Sequence, residues 1–185
     1  MDAPVKDPQL RAIETVRTLG PAGTNCEAAA RHWIRAQSLN ANISLHDSLE
    51  SAMDLVLQEE RSALLGCVVY PDLHNLVFPY LSRMRLADVF LYNTFNMILA
   101  TRPGQTDYKL VATHPAPQAL VKDDYQIALT NSNSEAARLC ATGQVDACIT
   151  TLPAAKAQGL DLVRDFGEVP MASLSMSVRT RRRPR

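Results

Sequence analysis

The chain has 185 residues, enough to bury a full core as one domain or as two small lobes. Its 19 basic and 19 acidic side chains balance to a formal charge of zero, which argues against a nucleic-acid or polyanion partner. No apolar run approaches the roughly 20 residues of a membrane span, and the polar opening has no signal-peptide core, so a cytoplasmic protein with no membrane partner is expected. The four cysteines, Cys26, Cys67, Cys140 and Cys148, show no C-x-x-C pair and no metal-ligand spacing with histidine. They read as reduced thiols, and no metal site is expected.

Residues 1–14 read as a loose lead-in. A strand over 15–19 runs into Gly20-Pro21-Ala22-Gly23-Thr24-Asn25-Cys26-Glu27. The glycines permit backbone angles that other residues resist, and Pro21 stiffens the turn. Thr24 and Glu27 have capping-box spacing, which opens a helix over about 25–37 with Ala29, Trp33 and Ala36 on its core face. A short strand over 43–45 follows. Asp47, with Glu50 in the box position, is expected to cap a second helix, whose apolar face is Leu49, Ala52, Met53, Val56 and Leu57. The apolar run 64–70 suits a strand buried on both faces. Residues 71–75 read as a loop. The β-rich stretch 89–101, interrupted by Asn93 and Asn96, is too long for a typical strand and reads as one strand passing from a first lobe into a second.

A strand over 110–113 precedes a helix opening at His114-Pro115 or Pro117, proline being welcome in a first helical turn. After a strand over 127–130, Ser132 and Glu135 form a third capping box, with Ala136, Leu139 and Cys140 facing inward. A strand over 145–150, a short helix over 153–158 closed by Gly159, and the stretch 160–163 come next. Residues 170–178 return to the first lobe, and 179–185 read as a solvated basic tail. The alternation predicts an α/β protein with a mainly parallel sheet in each lobe. Lobe 1 is expected over 15–95, completed by about 168–178, and lobe 2 over 96–167.

Helix starts present unpaired N–H groups and a partial positive charge, which favour an anion. Ligands of open α/β sheets bind beyond the carboxyl ends of the strands. Four starts qualify, near Thr24, Asp47, His114 and Ser132, two in each expected lobe; lobes facing each other would share a cleft. Asp47 is itself negative and argues against an anion at its own end. That leaves Thr24, Asn25 and Cys26 on one side, with the segment from His114 through Leu120, Gln118 included, and then Ser132, Asn133 and Ser134 on the other. Each also has a plainer reading, as a cap, a turn or an inert small residue. His46 has a side chain that titrates near neutrality, although a bond to a neighbouring backbone group accounts for it equally well. No dinucleotide or nucleotide-phosphate fingerprint appears, and the chemistry is expected to need no cofactor.

Five stretches, in order, resemble the prephenate dehydratase family: Gly20 through Cys26, Ser44 through Ser51, His114 through Leu120, Ser132 through Ala137, and Thr150 through Ala155. Cys26 stands where that family has a serine. The likeness spans nearly the whole chain and is closest to its small, non-aromatising prephenate decarboxylases. It implies a two-lobed fold of the periplasmic-binding-protein type, prephenate as the small-molecule substrate, and a homodimer. Two departures separate the chain from the dehydratases. Their Glu-Asn-Ser-x-x-Gly stretch is replaced by Val69 through Asn75. Their Thr-Arg-Phe, whose threonine helps the ring hydroxyl leave, is replaced by Met171-Ala172-Ser173. The resemblance therefore implies loss of carbon dioxide with the hydroxyl kept, in specialised antibiotic-type biosynthesis. On this view His46, His114 and Tyr70 are the proton-donor candidates, Arg102 and the helix ends would hold the pyruvyl carboxylate, and Thr94 joins the substrate-binding group. A dehydratase giving phenylpyruvate and a non-catalytic small-acid binding module are the competing readings.

Overall fold

Apolar strands that alternate with amphipathic helices bury both faces of a sheet, and this chain does so twice. The computed structural model describes residues 9–71, 73–121 and 124–179. The lead-in over 1–8, Asp72 of the 69–75 stretch and the tail over 180–185 lie outside the described residues. In chain order the elements are β1 (Thr15–Leu19), α1 (Asn25–Ala36), β2 (Asn42–His46), α2 (Leu49–Val56), β3 (Ser62–Cys67), α3 (His74–Val77) and β4 (Met84–Asn93). They continue as β5 (Met97–Thr101), β6 (Leu110–Thr113), β7 (Gln126–Leu129), α4 (Asn133–Ala141), β8 (Ala147–Thr151), α5 (Leu152–Ala157), β9 (Asp161–Gly167) and β10 (Pro170–Val178).

The chain divides into two compact units. Unit 1 runs up to Tyr92 and resumes at Met171; unit 2 is Asn93–Pro170. The sheet of unit 1 has the order β2-β1-β3-β10-β4, with β1 parallel to β2 and β3, and β10 antiparallel to β3. The sheet of unit 2 has the order β7-β6-β8-β5-β9, with β6 parallel to β7 and β8, and β5 antiparallel to β8 and β9. Each sheet is therefore mixed. The parallel half follows from the strand–helix alternation, and the antiparallel half comes from strands next to the two passages of the chain between units.

In unit 1, Ala63 and Leu65 of β3 join Val16, Ala29, Ala30 and Trp33 under α1, while Leu64 turns the other way, to Met53, Val56, Met84 and Met176. The period of two is what a strand covered on both sides requires. Gly66 continues β3 because a Cβ there would stand 2.9 Å from Leu49 Cδ1, so its absence lets α2 lie close. In unit 2, Ile98, Ala112 and Cys148 pack with α4 and α5 residues. The opposite face, carrying Leu99, Val111 and Ile149, is covered by Tyr108, Val121, Tyr125 and Phe166.

Several expectations are corrected. The stretch 89–101 is two strands broken at Thr94-Phe95-Asn96, because the two asparagines turn to acidic partners: Asn93 Nδ2 donates to Glu168 at 3.0 Å and Asn96 Nδ2 to Asp165 at 2.8 Å. No α-helix starts at His114; only Gln118–Leu120 forms one 3-10 turn. A residue preceding proline is steered away from helical angles, so Pro115 and Pro117 leave too little chain before β7 for a helix. Ser48, not Asp47, caps α2, its Oγ accepting from Ser51 N. Residues 10–13 are no loose lead-in, since Leu10 and Ile13 are buried against Trp33. Arg179 is likewise held, its Nε donating to Met84 O at 2.8 Å.

Candidate functional site

In unit 1 the parallel strands β1, β2 and β3 all end at one edge, and the expected residues of that half gather there. Gly20 N donates to His46 O at 2.7 Å, so the Gly-Pro turn lies against the end of β2. Gly23 has φ +81°, which favours glycine and aims the chain into α1. Glu27 is nearly buried. Its Oε2 accepts from Gly23 N at 2.6 Å, while its other oxygen pairs with Arg31. The Gly23 N–H, foremost, and Arg31 hold the Glu27 carboxyl below its ordinary value. Because Glu27 bonds one residue before the N-cap, the expected box does not close on Thr24. Thr24 is the N-cap yet makes no side-chain cap bond, and its buried Oγ1 has no partner among the described residues.

Cys26 sits in the first turn of α1 and Cys67 ends β3. The two thiols are neighbours, and their interaction, with backbone N–H groups of Val69 and Tyr70, holds the Cys67 thiol below its ordinary value. The same pairing, and then burial, push Cys26 up.

The two other acid–base candidates of this unit are bonded within the protein, His46 through Nε2 and Tyr70 through its hydroxyl. Arg17 is buried, and donates to Glu59 Oε2 at 2.6 Å, Ser62 Oγ at 3.1 Å and Ser44 Oγ at 3.2 Å. His46 Nε2 lies 3.4 Å from Arg17 Nη1 and 3.0 Å from Ser44 Oγ. Burial first, and Arg17 second, hold the His46 pKa below 6.5, so the ring is neutral at pH 7. Tyr70 O–H donates to Glu50 Oε2 at 2.7 Å and accepts from Leu49 N at 3.2 Å. Burial and Glu50 raise its pKa. Its proton is committed to a carboxylate.

In unit 2 the ends of β6, β7 and β8 form a corresponding edge. Thr130 N donates to Thr113 O at 2.9 Å, which brings the start of α4 beside His114. Ser132 caps α4, its Oγ accepting from Glu135 N at 3.1 Å, and Glu135 Oε2 accepts in turn from Asn131 N at 3.0 Å. Thr150, fully buried, donates to Asn133 O at 2.7 Å. The buried Asn133 Oδ1 has no partner among the described residues. His114 Nδ1 accepts from Ala116 N at 3.3 Å, and burial lowers its pKa, which leaves a neutral ring with its remaining proton on Nε2. Gln118 opens the 3-10 turn after it, and Ser134 is the second residue of α4.

Two candidates lie elsewhere. Arg102 donates to Cys140 O and to Val145 O at 2.7 Å, which puts it at the far end of α4 from Asn133, roughly 12 Å along the axis. Thr94 is buried, and its hydroxyl accepts from Val169 N at 3.1 Å, pinning together the two passages between the units. Among the described residues Ser175 Oγ in β10 is a third unpaired oxygen; sequence reasoning missed the Cys67 neighbour of Cys26 and the unpaired oxygens at the two helix starts. A signal for the latter was present: Thr24-Asn25-Cys26-Glu27-Ala28-Ala29 and Ser132-Asn133-Ser134-Glu135-Ala136-Ala137 are nearly the same phrase written twice.

Among the described residues no group of three or more His, Cys, Asp or Glu side chains is placed to hold a metal ion, and no helix is long and apolar enough to cross a membrane. No family model matches the chain. The chain is 33% identical over 179 residues to the prephenate decarboxylase of Bacillus subtilis strain 168, covering 88% of this chain and 86% of that one. It is 31% identical over 174 residues to the prephenate decarboxylase of Bacillus amyloliquefaciens, covering 85% and 83%. In structure it is similar to a prephenate dehydratase from Arthrobacter aurescens, with a TM-score of 0.72 at 21% identity. That likeness covers 92% of this chain but only 62% of the dehydratase, and it speaks for the fold: α/β, two-lobed, with two mixed sheets. With a third of its residues shared along nearly all of its length, the chain belongs to the prephenate decarboxylase family.

Proposed function

We propose that this protein is a carboxy-lyase that removes carbon dioxide from prephenate and releases a dihydro-4-hydroxyphenylpyruvate. The observation that carries the reading is the 33% identity to a prephenate decarboxylase along 88% of the chain. In the reaction the bond from the ring to its carboxylate breaks. Its electron pair enters the ring diene, and a ring carbon takes one proton. The carbon–oxygen bond survives, so the ring does not become aromatic. The electron sink is the substrate's own diene, and the reaction needs no cofactor.

Thr24 Oγ1, with the N–H groups of Asn25 and Cys26 at the start of α1, binds one carboxylate. Ser132, Asn133 and Ser134 at the start of α4, with Gln118 and the Nε2–H of His114, are the substrate-binding candidates of unit 2. We assign the proton to His114 in its imidazolium form, which the two negative charges of a bound prephenate favour; the Tyr70 proton is already given to Glu50, and His46 turns its Nε2 to Arg17 and Ser44. Met171-Ala172-Ser173 offers no threonine or arginine to assist departure of the hydroxyl. A non-aromatic product suits specialised biosynthesis of the antibiotic type. The same reading makes this a cytoplasmic enzyme, with neither nucleic acid nor membrane as partner, acting as a homodimer.

Incubation with prephenate followed by proton NMR tests the reading. The expected product keeps the carbinol proton and shows non-aromatic ring signals. Phenylpyruvate as the main product would reject it in favour of a dehydratase, and tight binding without turnover would reject it in favour of a carrier.

A further inference from the structure

Buried polar atoms are nearly always paired, so an unpaired one marks a place where something else completes the bond. Thr24 Oγ1 and Asn133 Oδ1 are two such atoms, and they are chemically unequal. A threonine hydroxyl both donates and accepts, and suits a carboxylate. An amide oxygen only accepts, and calls for a donor. The position of Asn133 is fixed through its backbone. Its backbone is fastened by the buried Thr150 hydroxyl at 2.7 Å, and it follows directly on the Ser132 cap.

Near neutral pH both carboxyl groups of prephenate are ionised and its ketone only accepts. The ring hydroxyl is its one hydrogen-bond donor. We propose that Asn133 Oδ1 accepts the hydrogen bond of the substrate's ring hydroxyl and so decides which group leaves. This inference rests on the prephenate reading above. Departure of hydroxide needs a proton delivered to its oxygen. An acceptor at that hydroxyl does the reverse: it adds electron density to the oxygen and delivers no proton to it. The carbon–oxygen bond is preserved while the ring carboxylate is lost as carbon dioxide. Asn133 neither gives nor takes a proton in the step. It is a specificity-determining residue.

The test is product analysis of Asn133→Ala and Asn133→Asp beside the unaltered protein, with enzyme in excess over prephenate so that slow variants still report. Asn133→Ala is expected to lower kcat/KM about tenfold or more and to release phenylpyruvate beside the hydroxylated product. Asn133→Asp keeps an acceptor oxygen, so its product is expected to stay free of phenylpyruvate while KM rises against the doubly charged substrate. Phenylpyruvate-free product from Asn133→Ala, at whatever rate, would overturn the inference. So would phenylpyruvate from both variants alike. If the unaltered protein itself makes phenylpyruvate, the prephenate decarboxylase reading fails and takes the inference with it.

Discussion

The two units repeat one strand order but cover it differently. In unit 1 the passage from β1 to β2 is the twelve-residue helix α1, which lays Trp33 over the sheet. In unit 2 the described residues of the matching passage from β6 to β7 hold a single 3-10 turn, and Tyr108 and Tyr125, with ring centroids 5.6 Å apart, help cover the same kind of face. The difference lies in local chemistry. Pro115 and Pro117 forbid the helix, and aromatic side chains do the covering instead. The helix starts differ as well. The phrase shared by α1 and α4 carries as its fourth residue a glutamate that reaches back to the N–H before the N-cap in both places, Gly23 in one and Asn131 in the other. Yet Ser132 caps its helix while Thr24 does not, and the unpaired oxygen falls on the cap residue in unit 1 and on the next residue in unit 2.

The largest expected effect concerns the covered faces. Trp33→Ala should cost about 3–5 kcal/mol in denaturant unfolding, since Trp33 is fully buried and its Nε1 is bonded to Asp88. Tyr125→Ala, in the half-buried pair, should cost only about 1–2 kcal/mol. Equal losses would erase the distinction between a helical and an aromatic cover. Next come the two cap residues. Thr24→Val removes a hydroxyl that no protein group uses, so stability should hold or rise, while kcat/KM for prephenate falls about 10–100-fold. Ser132→Ala should instead lower stability by about 1 kcal/mol, the usual worth of a serine cap. A Thr24→Val protein that unfolds as easily as Ser132→Ala would show that both residues are merely caps.

Much of this was legible beforehand. The i, i+3, i+4 spacing of Leu49, Ala52, Met53 and Val56 reports burial directly; the apolar run over 64–70 does so only in part, since β3 ends at Cys67 and Val68 and Val69 stand exposed. The rest depends on partners distant in sequence. Nothing near Asp47 says that Ser48 will be the cap. Nothing near Arg17 announces Ser44, His46, Glu59 and Ser62. Thr24 and Glu27 have box spacing, and only the backbone shows that Glu27 reaches past the cap to Gly23. An unpaired oxygen is invisible until every neighbour has been placed.

The smallest expected effect sharpens the contrast between the two glutamates. Glu27 is nearly buried and has its pKa lowered from 4.5, so it adds stability at neutral pH that fades as pH falls through and below that value. Unfolding of unit 1 should therefore become easier in acid, and Glu27→Gln should flatten that dependence at the expense of stability at pH 7. Urea midpoints of the parent and Glu27→Gln between pH 3 and 7, ranges chosen to bracket about 4.5, check this; parallel curves would remove Glu27 from the account.

Asp88 lies in the middle of β4, an outermost strand of its sheet. Its carboxylate takes the Trp33 and Gln37 donors with one oxygen and the Val89 backbone N–H with the other. That N–H would otherwise be open to an incoming chain, on a strand where Leu86, Val89 and Leu91 already stand out to solvent. A side chain recruited to anchor a helix thus also interrupts the ladder on which fibrous stacking would grow.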